Sequence, residues 1–538
     1  MAEPSAGGRG RFRGLLSTSL GTLASRVLGL LRDIATAALL GMSSGGVMDA
    51  FAVAFRVPNL ARRLFGEGAL SASLLPVFTA EWERDRRAAW QLASAVFVWL
   101  SVLLAALVLL GEVLCGLFAW LGSDRPGVPL LAGLTAAMLP YLLPVCLAAQ
   151  VAAILTALGQ FRTPAFAPTL LNIVWIATAW FVCPHFESRT TQAYWLALAV
   201  VIAGGLQLAV QWPALRGLGF RFDYNWNASR EAVGKVARSM GPMTLGLAIT
   251  QLSALGDSLV AWGLAAPADG PQTIAWLGSV AYPLEQGAAA AIYYGERLYQ
   301  LPVGLLGAAV ATVIYPLLSR HVARGELQQV GADLTHGLRL VLAAAVPASL
   351  GLVLLAEPIA TLLFERGEFT AHDAHRTARM IAGYSVSVWA YCALPVLVRG
   401  YYAVGDTWTP VRVGLWLIAL DLVLNLTLIW PLAELGLALS TALSAAIQAI
   451  WLARGLARRS VAIDWRALSG SVAKTLLAAS VMGVVVLASA RLVSSLAPGS
   501  RTLALLIPGL AGAAAHLAMA WRLKQPEWRT LLGRDRGA

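Results

Sequence analysis

Long apolar runs separated by short polar connections make up most of the chain from residue 14 onward. A helix of about 20 apolar residues can cross a bilayer, and with that length as the measure the pattern predicts about fourteen membrane-spanning helices. The second and tenth are longer than a bilayer requires, so we expect them to tilt or break. The expected helices lie at 14–41, 47–79, 89–121, 129–158, 164–183, 191–215, 233–265, 287–319, 328–357, 372–404, 409–431, 434–456, 467–491 and 500–522.

Composition supports that pattern. Hydrophobic residues make up 58% of the 538 residues and charged residues only 13%, and the mean hydropathy is +0.70. Soluble domains contain about 25% charged residues, so we predict an all-α polytopic membrane protein. The cysteines are scattered without CxxC spacing, which favours small buried side chains over a disulfide frame or a metal site. They are Cys115, Cys146, Cys183 and Cys392.

The net charge of +12 is distributed between the apolar runs rather than in one patch. A nucleic-acid footprint would concentrate its basic residues, so we exclude a nucleic-acid partner. Alternate connections are rich in arginine and lysine, and those between them carry few. Because basic connections stay in the cytoplasm, the pattern places both termini there. The basic-rich connections include 84–87, 216–238, 454–466 and 522–536.

Two distant segments resemble each other as a weak internal repeat. Val57–Phe78 and Leu301–Arg320 each begin beside a proline, continue through glycine and small residues, and end near a second proline. Comparable broken helices in two halves of a chain are typical of transporters built from repeated bundles around a central site. Ordinary kinked helices in a bundle are the alternative.

The first apolar run carries charges at membrane depth. A charged side chain there costs at least about 2.5 to 3.5 kcal/mol, so it normally faces a cavity or a partner. Arg26 and Asp33 are seven residues apart and share a helix face, whereas Arg32 points roughly 120° away. The spacing predicts Arg26 as a candidate partner for Asp33, and Arg32 as a free cation.

Further charges follow in the second run. Arg63 can pair with Glu67 or with Asn59, each four residues away, which leaves Arg62 without a local partner. Guanidinium groups suit phosphate because their planar fork donates two parallel hydrogen bonds and stays charged. An anionic substrate is the favoured interpretation, with four arginines converging on one cavity: Arg26, Arg32, Arg62 and Arg297. Neutralisation of nearby acids in helix packing is the alternative, the acids being Asp33, Asp49, Glu67 and Glu296.

A second polar set lies in the later helices. Asp421 and Asn425 are one turn apart, Thr441 lies on the next helix, and Asp257 lies within the seventh. Their oxygens suit a hard cation, which predicts a sodium or proton coupling site. Buried interhelical hydrogen bonding is the alternative. No catalytic motif is present, so we expect a transporter and not an enzyme.

These residues lie in blocks that resemble the MurJ (MviN) family of lipid II flippases, within the multidrug/oligosaccharidyl-lipid/polysaccharide exporter superfamily. The blocks extend from the first helix through the twelfth. They are SRVLGLLRD (Ser25–Asp33), DAFAVAFRVPNLARRLFGEGALS (Asp49–Ser71), YYGERLYQLPVGLLG (Tyr293–Gly307), LLFERGEFTAHD (Leu362–Asp373) and RGYYAVGDTWTPVR (Arg399–Arg412).

The resemblance implies two pseudo-symmetric six-helix lobes around a central cavity, followed by a helix pair that forms a groove for a lipid tail. The expected organisation is a cytoplasmic tail at 1–13, an N-terminal lobe at 14–215, a cytoplasmic linker at 216–232, a C-terminal lobe at 233–458, the final pair at 467–522 and a cytoplasmic tail at 523–538.

The resemblance also implies roles for residues. The four arginines would hold the pyrophosphate of lipid II, and six neighbours would line or gate the cavity: Ser25, Asp33, Asp49, Asn59, Arg63 and Glu67. In sodium-coupled members a cation site joins the seventh, eleventh and twelfth helices, where Asp257, Asp421, Asn425 and Thr441 fall. The Asp and Asn of the eleventh helix are exchanged relative to that pattern, which leaves the ion's identity open.

The implied partners are lipid II, membrane lipids and cell-wall synthesis proteins at the bacterial cytoplasmic membrane. No cofactor is expected beyond a candidate coupling sodium ion. Two related functions stay open: a flippase for another undecaprenyl-pyrophosphate-linked oligosaccharide, and a cation-coupled drug antiporter of the same superfamily. The antiporter would need acids rather than surplus arginines in its first lobe. A membrane phosphotransferase would need a clustered carboxylate motif that we do not find.

Overall fold

The fold is almost entirely α-helical where a computed structural model describes it, at residues 6–43, 45–123, 127–223, 230–267, 272–274, 278–459 and 461–531. The all-α polytopic prediction is confirmed in this part of the chain. The predicted tails and the linker at 216–232 lie partly outside the described residues. The described side chains leave out those of 6–19, 66–69, 71–72, 241–243, 245–247, 249–250, 529 and 531.

The chain divides into two compact units, and the first is Met1–Tyr282. Its tenth helix, α10, packs against α2 and α3 within this unit. The helices are α1 (Ala6–Leu40), α2 (Val47–Ala61), α3 (Ala69–Arg84), α4 (Arg86–Leu121), α5 (Val128–Met138), α6 (Leu142–Ala157), α7 (Arg162–Phe166), α8 (Thr169–Ala177), α9 (Arg189–Gly217) and α10 (Arg230–Gly263). Short 3₁₀ turns cover Leu139–Tyr141 and Cys183–His185, and π-helical segments cover Arg62–Gly68 and Thr178–Val182.

The second unit is Pro283–Ala538. Its core packs α12, α13, α16 and α18 around large apolar side chains such as Leu334 and Val396, and Tyr401 donates its hydroxyl to the carbonyl of Leu452 at 2.9 Å. The helices are α11 (Ala288–Pro302), α12 (Ala308–Ala323), α13 (Leu327–Leu354), α14 (Ala356–Phe364), α15 (Ala371–Ser385), α16 (Val388–Ala403), α17 (Trp408–Leu432), α18 (Glu434–Ala457), α19 (Trp465–Leu496), α20 (Arg501–Arg522) and α21 (Pro526–Leu531). The predicted lobe and groove boundaries stay predictions.

Each of the fourteen predicted segments coincides with helical structure. Within the described residues, nine helical stretches are long and apolar enough to cross a membrane, or ten when a bent pair is counted as one span. That pair is α15 and α16, which meet at a 41° bend. The predicted break in the tenth segment is therefore confirmed, while fourteen crossings stay a prediction.

The two segments of the predicted repeat share one irregularity. The π-helical segment Arg62–Gly68 separates α2 from α3, and Val303–Gly307 separates α11 from α12 in the same way. Proline explains the interruption, since Pro58 and Pro302 each remove a backbone donor just before the wider turn. Both segments thus interrupt the regular α-helix at a comparable place, while Ala288–Ala323 stays one helical stretch long enough to cross a membrane. The repeat of broken helices stays a prediction.

Glycine is required at the second interruption. A Cβ on Gly307 would lie 2.9 Å from the carbonyl oxygen of Cys392 on α16, closer than packed atoms allow. The segment therefore packs backbone against backbone on α16, which only glycine permits.

The long connection at 265–286 contains a short antiparallel ladder. Strand β1 (Thr273–Ile274) pairs with β2 (Val280–Ala281), with Thr273 opposite Ala281. The pattern of apolar runs did not predict strands here, because two-residue strands are too short to produce a periodic signal.

Candidate functional site

The buried charges of α1 form a local ion pair. Arg32 donates from Nε and Nη2 to one oxygen of Asp33, Oδ1, at 3.1 and 2.7 Å. The two residues are only 6% and 2% exposed. Low polarity around them strengthens the attraction, because little water screens the charges.

Helix α8 completes the surroundings of Arg32. Nη1 donates to Oδ1 of Asn172 at 3.2 Å, and Cζ lies 4.8 Å from the ring centre of Trp175. Asn172 in turn donates to the backbone carbonyl of Ser25 at 3.1 Å, and Trp175 donates to the hydroxyl of Thr36 at 3.0 Å. The guanidinium is thus held by an acid, an amide and an aromatic face.

Arg26 lies six residues before Arg32 on α1 and is half-buried. Among the side chains that the structure describes, none forms a hydrogen bond or an ion pair with it. A rise of about 1.5 Å per residue separates the two arginines by roughly 9 Å along the helix. One arginine on this helix is therefore fully engaged, and the other is available to a ligand.

The first π-helical segment carries two more arginines. Arg62 donates from Nε and Nη2 to Oδ1 of Asn59 at 3.1 and 2.9 Å. Arg63 donates from Nη1 to Gln251 on α10 at 3.1 Å. These contacts with amide oxygens fix the positions of both guanidinium groups.

Two of the predicted acidic residues, Asp49 and Glu67, lie near this segment in the sequence. Asp49 is buried in the first turn of α2, where the positive end of the helix dipole favours a carboxylate. The side chain of Glu67 lies outside the described residues.

In the second unit Arg297 lies on α11 and is half-buried. Its Cζ is 4.7 Å from the ring centre of Tyr293, one turn earlier on the same helix. This cation–π contact holds the side chain against its own helix.

Helices α17 and α18 are joined by two polar contacts. Asp421 accepts from the hydroxyl of Ser444 at 3.3 Å, and Asn425 accepts from the hydroxyl of Ser440. Thr441 donates instead to the carbonyl of Leu437 on its own helix, at 3.0 Å. The two acceptors are buried, so both contacts lie within the helix–helix interface.

Asp257 belongs to the first unit, where it is buried on α10. Within the described residues no group of three or more His, Cys, Asp or Glu side chains could hold a metal ion. In the second unit the α17–α18 interface brings together carboxylate, amide and hydroxyl oxygens, a donor set that suits sodium.

The His372 and His375 pair is part of a helix start. Thr370 caps α15, its hydroxyl accepts from the backbone of Asp373, and the Asp373 carboxylate accepts from the backbone of Thr370. This reciprocal capping box begins α15, and both histidines are exposed in the first turns of that helix.

Comparison with known proteins decides the family. The model of the family described as lipid II flippase MurJ matches residues 36–506. The chain belongs to the lipid II flippase MurJ family.

Relatives extend the MurJ match over most of the chain. A protein of Vibrio cholerae named probable lipid II flippase MurJ is 35% identical over 474 residues, which are 86% of this chain and 86% of that protein. The lipid II flippase MurJ of Burkholderia cenocepacia is 32% identical over 84% of each chain.

Solved structures support the fold. A lipid II flippase MurJ in an inward closed conformation has a TM-score of 0.75 at 21% identity, covering 96% of this chain and 99% of that one. An inward-facing multidrug resistance transporter of the MATE family gives a TM-score of 0.62 at 12% identity, covering 83% of this chain and 98% of that one. These likenesses concern the fold alone.

Two predicted pairings in this MurJ-family chain are wrong. Asp33 pairs with Arg32 rather than Arg26, because adjacent side chains on a helix can bend toward each other when a shared environment excludes water. Arg62 does have a local partner, Asn59, three residues earlier, and Arg63 bonds across to Gln251. The predicted Arg63–Glu67 pair lies outside the described side chains, since that of Glu67 is not described.

The sequence patterns did not predict several of the polar partners. Asn172 and Trp175 are three residues apart and share a face of α8, a spacing that could have marked them. Ser440 and Ser444 repeat the four-residue spacing of Asp421 and Asn425. Between antiparallel helices, two such sets can meet in reverse order. The predicted roles of all the site residues stay predictions.

Proposed function

We propose that this protein flips lipid II from the inner to the outer leaflet of the bacterial cytoplasmic membrane, with both of its termini in the cytoplasm. The family match over residues 36–506 is the observation that supports this most directly. Two relatives that cover most of the chain carry the lipid II flippase name. No bond is broken in this transport, so the protein is a transporter rather than an enzyme.

The headgroup is recognised through its pyrophosphate. Arg26 is the first contact, because its half-buried guanidinium has no hydrogen-bond partner among the described side chains. Arg62 is positioned by two hydrogen bonds to Oδ1 of Asn59, and its planar fork suits a second bidentate contact with phosphate. Arg297 keeps its predicted role as a further cation for the same group.

Arg32 takes part after its ion pair opens. Its bonds to Asp33 are those that a phosphate oxygen would replace. Asp33 therefore acts as a gate residue, holding Arg32 when substrate is absent and releasing it when the pyrophosphate arrives. A pair with two discrete arrangements is the kind of element that couples binding to a conformational change.

Transport proceeds by alternating access. The cavity binds the headgroup from the cytoplasm, the lobes rock, and the headgroup leaves outside while the polyprenyl tail stays in lipid. A membrane potential negative inside favours outward movement of an anion by about 2.3 kcal/mol per elementary charge per 100 mV. A sodium ion at Asp257, Asp421, Asn425 and Thr441 would reset the carrier.

The second candidate is a cation-coupled antiporter, which the likeness to a MATE transporter at a TM-score of 0.62 supports at the level of fold. The arginines of α1 and the first π-helical segment argue against a cationic substrate, because they would repel it. A flippase for another lipid-linked oligosaccharide would use the same arginines.

Depletion of this protein in its own cells tests the proposal. Lipid-linked peptidoglycan precursor should accumulate on the inner leaflet, and plasmid-borne parent protein should restore growth. Arg32→Ala and Arg297→Ala should fail to restore growth at normal membrane levels. Full rescue by both variants would refute the arginine site.

Headgroup preference needs a binding measurement. Purified protein is titrated with lipid II and with undecaprenyl pyrophosphate carrying other sugars. Tighter binding of lipid II supports the proposal, whereas equal affinity for all of them would favour a broader oligosaccharide flippase.

A further inference from the structure

A cavity of about 290 Å³ lies at the N-terminal end of α19, where that helix meets α13 and α21. Its charged lining comprises Arg339 on α13, Arg466 and Lys474 on α19, and Glu527 on α21. Arg339, Arg466 and Glu527 lie outside the predicted substrate and ion sites, and Lys474 falls in the final helix pair without a predicted contact of its own, so the cavity requires its own explanation.

The charges in the cavity do not balance. Glu527 is buried and accepts from Nε and Nη2 of Arg339 at 2.8 and 2.7 Å, and from the hydroxyl of Ser471 at 2.7 Å. This carboxylate and Arg339 therefore neutralise each other. Arg466 and Lys474 are exposed, and among the described residues neither side chain forms a hydrogen bond or an ion pair. The cavity thus presents two uncompensated cations.

Both cations lie on one face of α19. Arg466, Gly470 and Lys474 follow at four-residue steps, and a stripe of apolar residues continues the same face toward the middle of the helix. The stripe consists of Leu477, Val481 and Val484, which are 50%, 36% and 68% exposed. The face is therefore basic at one end and apolar for the rest.

The dimensions of this face match one lipid leaflet. The helix rises about 1.5 Å per residue, so Val484 lies roughly 15 Å beyond Lys474. That distance is half of a hydrocarbon core about 30 Å thick. A free phosphate ion would use only the basic end, whereas an anionic lipid uses the whole face.

We infer that the cavity formed by Arg339, Arg466, Lys474 and Glu527 binds the phosphate of an anionic phospholipid, with an acyl chain lying along Leu477, Val481 and Val484. Arg466 and Lys474 contact the phosphate oxygens, and Gly470 leaves the space that the head group occupies, since no atom lies within 4 Å of a Cβ built there. Basic pockets between transmembrane helices commonly take such head groups.

Native mass spectrometry of the full-length protein in detergent tests this inference. It compares the binding of phosphatidylglycerol with that of phosphatidylcholine. The parent protein should prefer phosphatidylglycerol, and Arg466→Gln/Lys474→Gln should reduce its affinity about thirtyfold, since each cation contributes roughly fivefold. Gly470→Leu should reduce it similarly without a change in charge, because the side chain fills the cavity.

Two matched controls complete the test. Arg320→Gln/Arg412→Gln removes two exposed cations from other helix ends, and Gly205→Leu adds a side chain at an exposed glycine of α9. Both should retain the parent's preference. The inference is overturned if the double α19 variant or Gly470→Leu retains it, or if the charge control loses as much. Displacement of the lipid by excess inorganic phosphate would also overturn it, because the site would then bind the free ion. Lipid II binding, measured in parallel, tests the transport proposal separately.

Discussion

Arg32 and Asp33 are neighbours in sequence that form a buried ion pair, with Nη2 of the arginine 2.7 Å from Oδ1 of the aspartate. Both side chains are excluded from water, so removal of one partner leaves the other charge in an environment of low polarity. The pair is therefore a structural feature as well as the proposed gate, and experiments must separate these roles.

A compensated double variant separates them. Arg32→Met should lower the free energy of unfolding by about 3 to 5 kcal/mol, because Asp33 loses its charge partner. Arg32→Met/Asp33→Asn should regain most of that stability but should still fail to transport lipid II. Thermal unfolding in detergent and growth complementation measure the two effects. Normal transport by the stable double variant would refute the functional role of Arg32.

Arg26 is expected to matter for transport alone. Since no described side chain bonds to it, Arg26→Ala should change the free energy of unfolding by no more than about 0.5 kcal/mol. Transport should nevertheless be lost, and Arg26→Lys should restore it only in part, because an ammonium cannot form the bidentate contact.

The neighbouring Val27 provides the control for Arg26, since it is exposed on the same helix. Val27→Ala should transport lipid II at the parent's rate in proteoliposomes. A normal rate in Arg26→Ala would contradict its proposed contact with the pyrophosphate.

How far the sequence could predict this molecule depends on the length scale of each feature. The lengths of the apolar runs predicted the helices and the bend in the tenth segment, and Pro58 accounts locally for the π-helical interruption in the second. The partner of Asp33 could not be predicted in this way. Helical spacing favoured Arg26, but the choice between Arg26 and Arg32 depends on Asn172 and Trp175, more than a hundred residues later, which hold the guanidinium of Arg32.

The α17–α18 interface shows the same limit. The four-residue spacing of Asp421 and Asn425 predicted a polar face, and the structure confirms that they are buried together. Which hydroxyls meet them depends on the register of α18, and that register brings Ser440 and Ser444 to them. Thr441 was predicted for this set, but its hydroxyl bonds within its own helix.

Sodium binding at this interface is measurable as stabilisation. If the proposed ion site is correct, sodium should raise the parent's unfolding temperature relative to potassium, since a bound ligand stabilises the folded state. Asp421→Asn and Thr441→Val should each abolish that difference. Thr427→Val is the control, because Thr427 is exposed on α17 and bonds to its own helix. A parent protein that does not distinguish the two ions would contradict the sodium site.

Arg376 is predicted to be essential for the stability of the second unit. It is buried on α15, donates from Nε to Oε1 of Glu434 at 3.0 Å, and donates from Nη1 to the carbonyl of Gln286 at 2.6 Å. Arg376→Leu should lower the free energy of unfolding by about 3 to 5 kcal/mol, because the Glu434 charge stays buried. Arg379→Leu, at an exposed site on the same helix, should stay within about 0.5 kcal/mol of the parent. Equal unfolding temperatures for the two variants would contradict the assignment.

Acid should loosen the attachment of α21. Burial raises the pKa of Glu527, but hydrogen bonds from Ser471, its own backbone N–H and Arg339 outweigh that effect and hold the pKa below its ordinary value of 4.5. A carboxyl whose pKa is lowered on folding contributes stability above its unfolded pKa and loses that contribution as the pH falls through the folded value.

The unfolding temperature of the parent should therefore change little between about pH 5 and pH 7 on account of this group, and should decline below about pH 4.5. Glu527→Gln should be less stable than the parent at neutral pH, because Arg339 loses its charge partner, and should show a smaller acid decline. Glu83→Gln, which removes an exposed carboxylate on α3, should retain the parent's profile. An acid decline in Glu527→Gln equal to that of the parent would mean that other groups cause it, and that the Arg339–Glu527 pair does not hold α21 against α13.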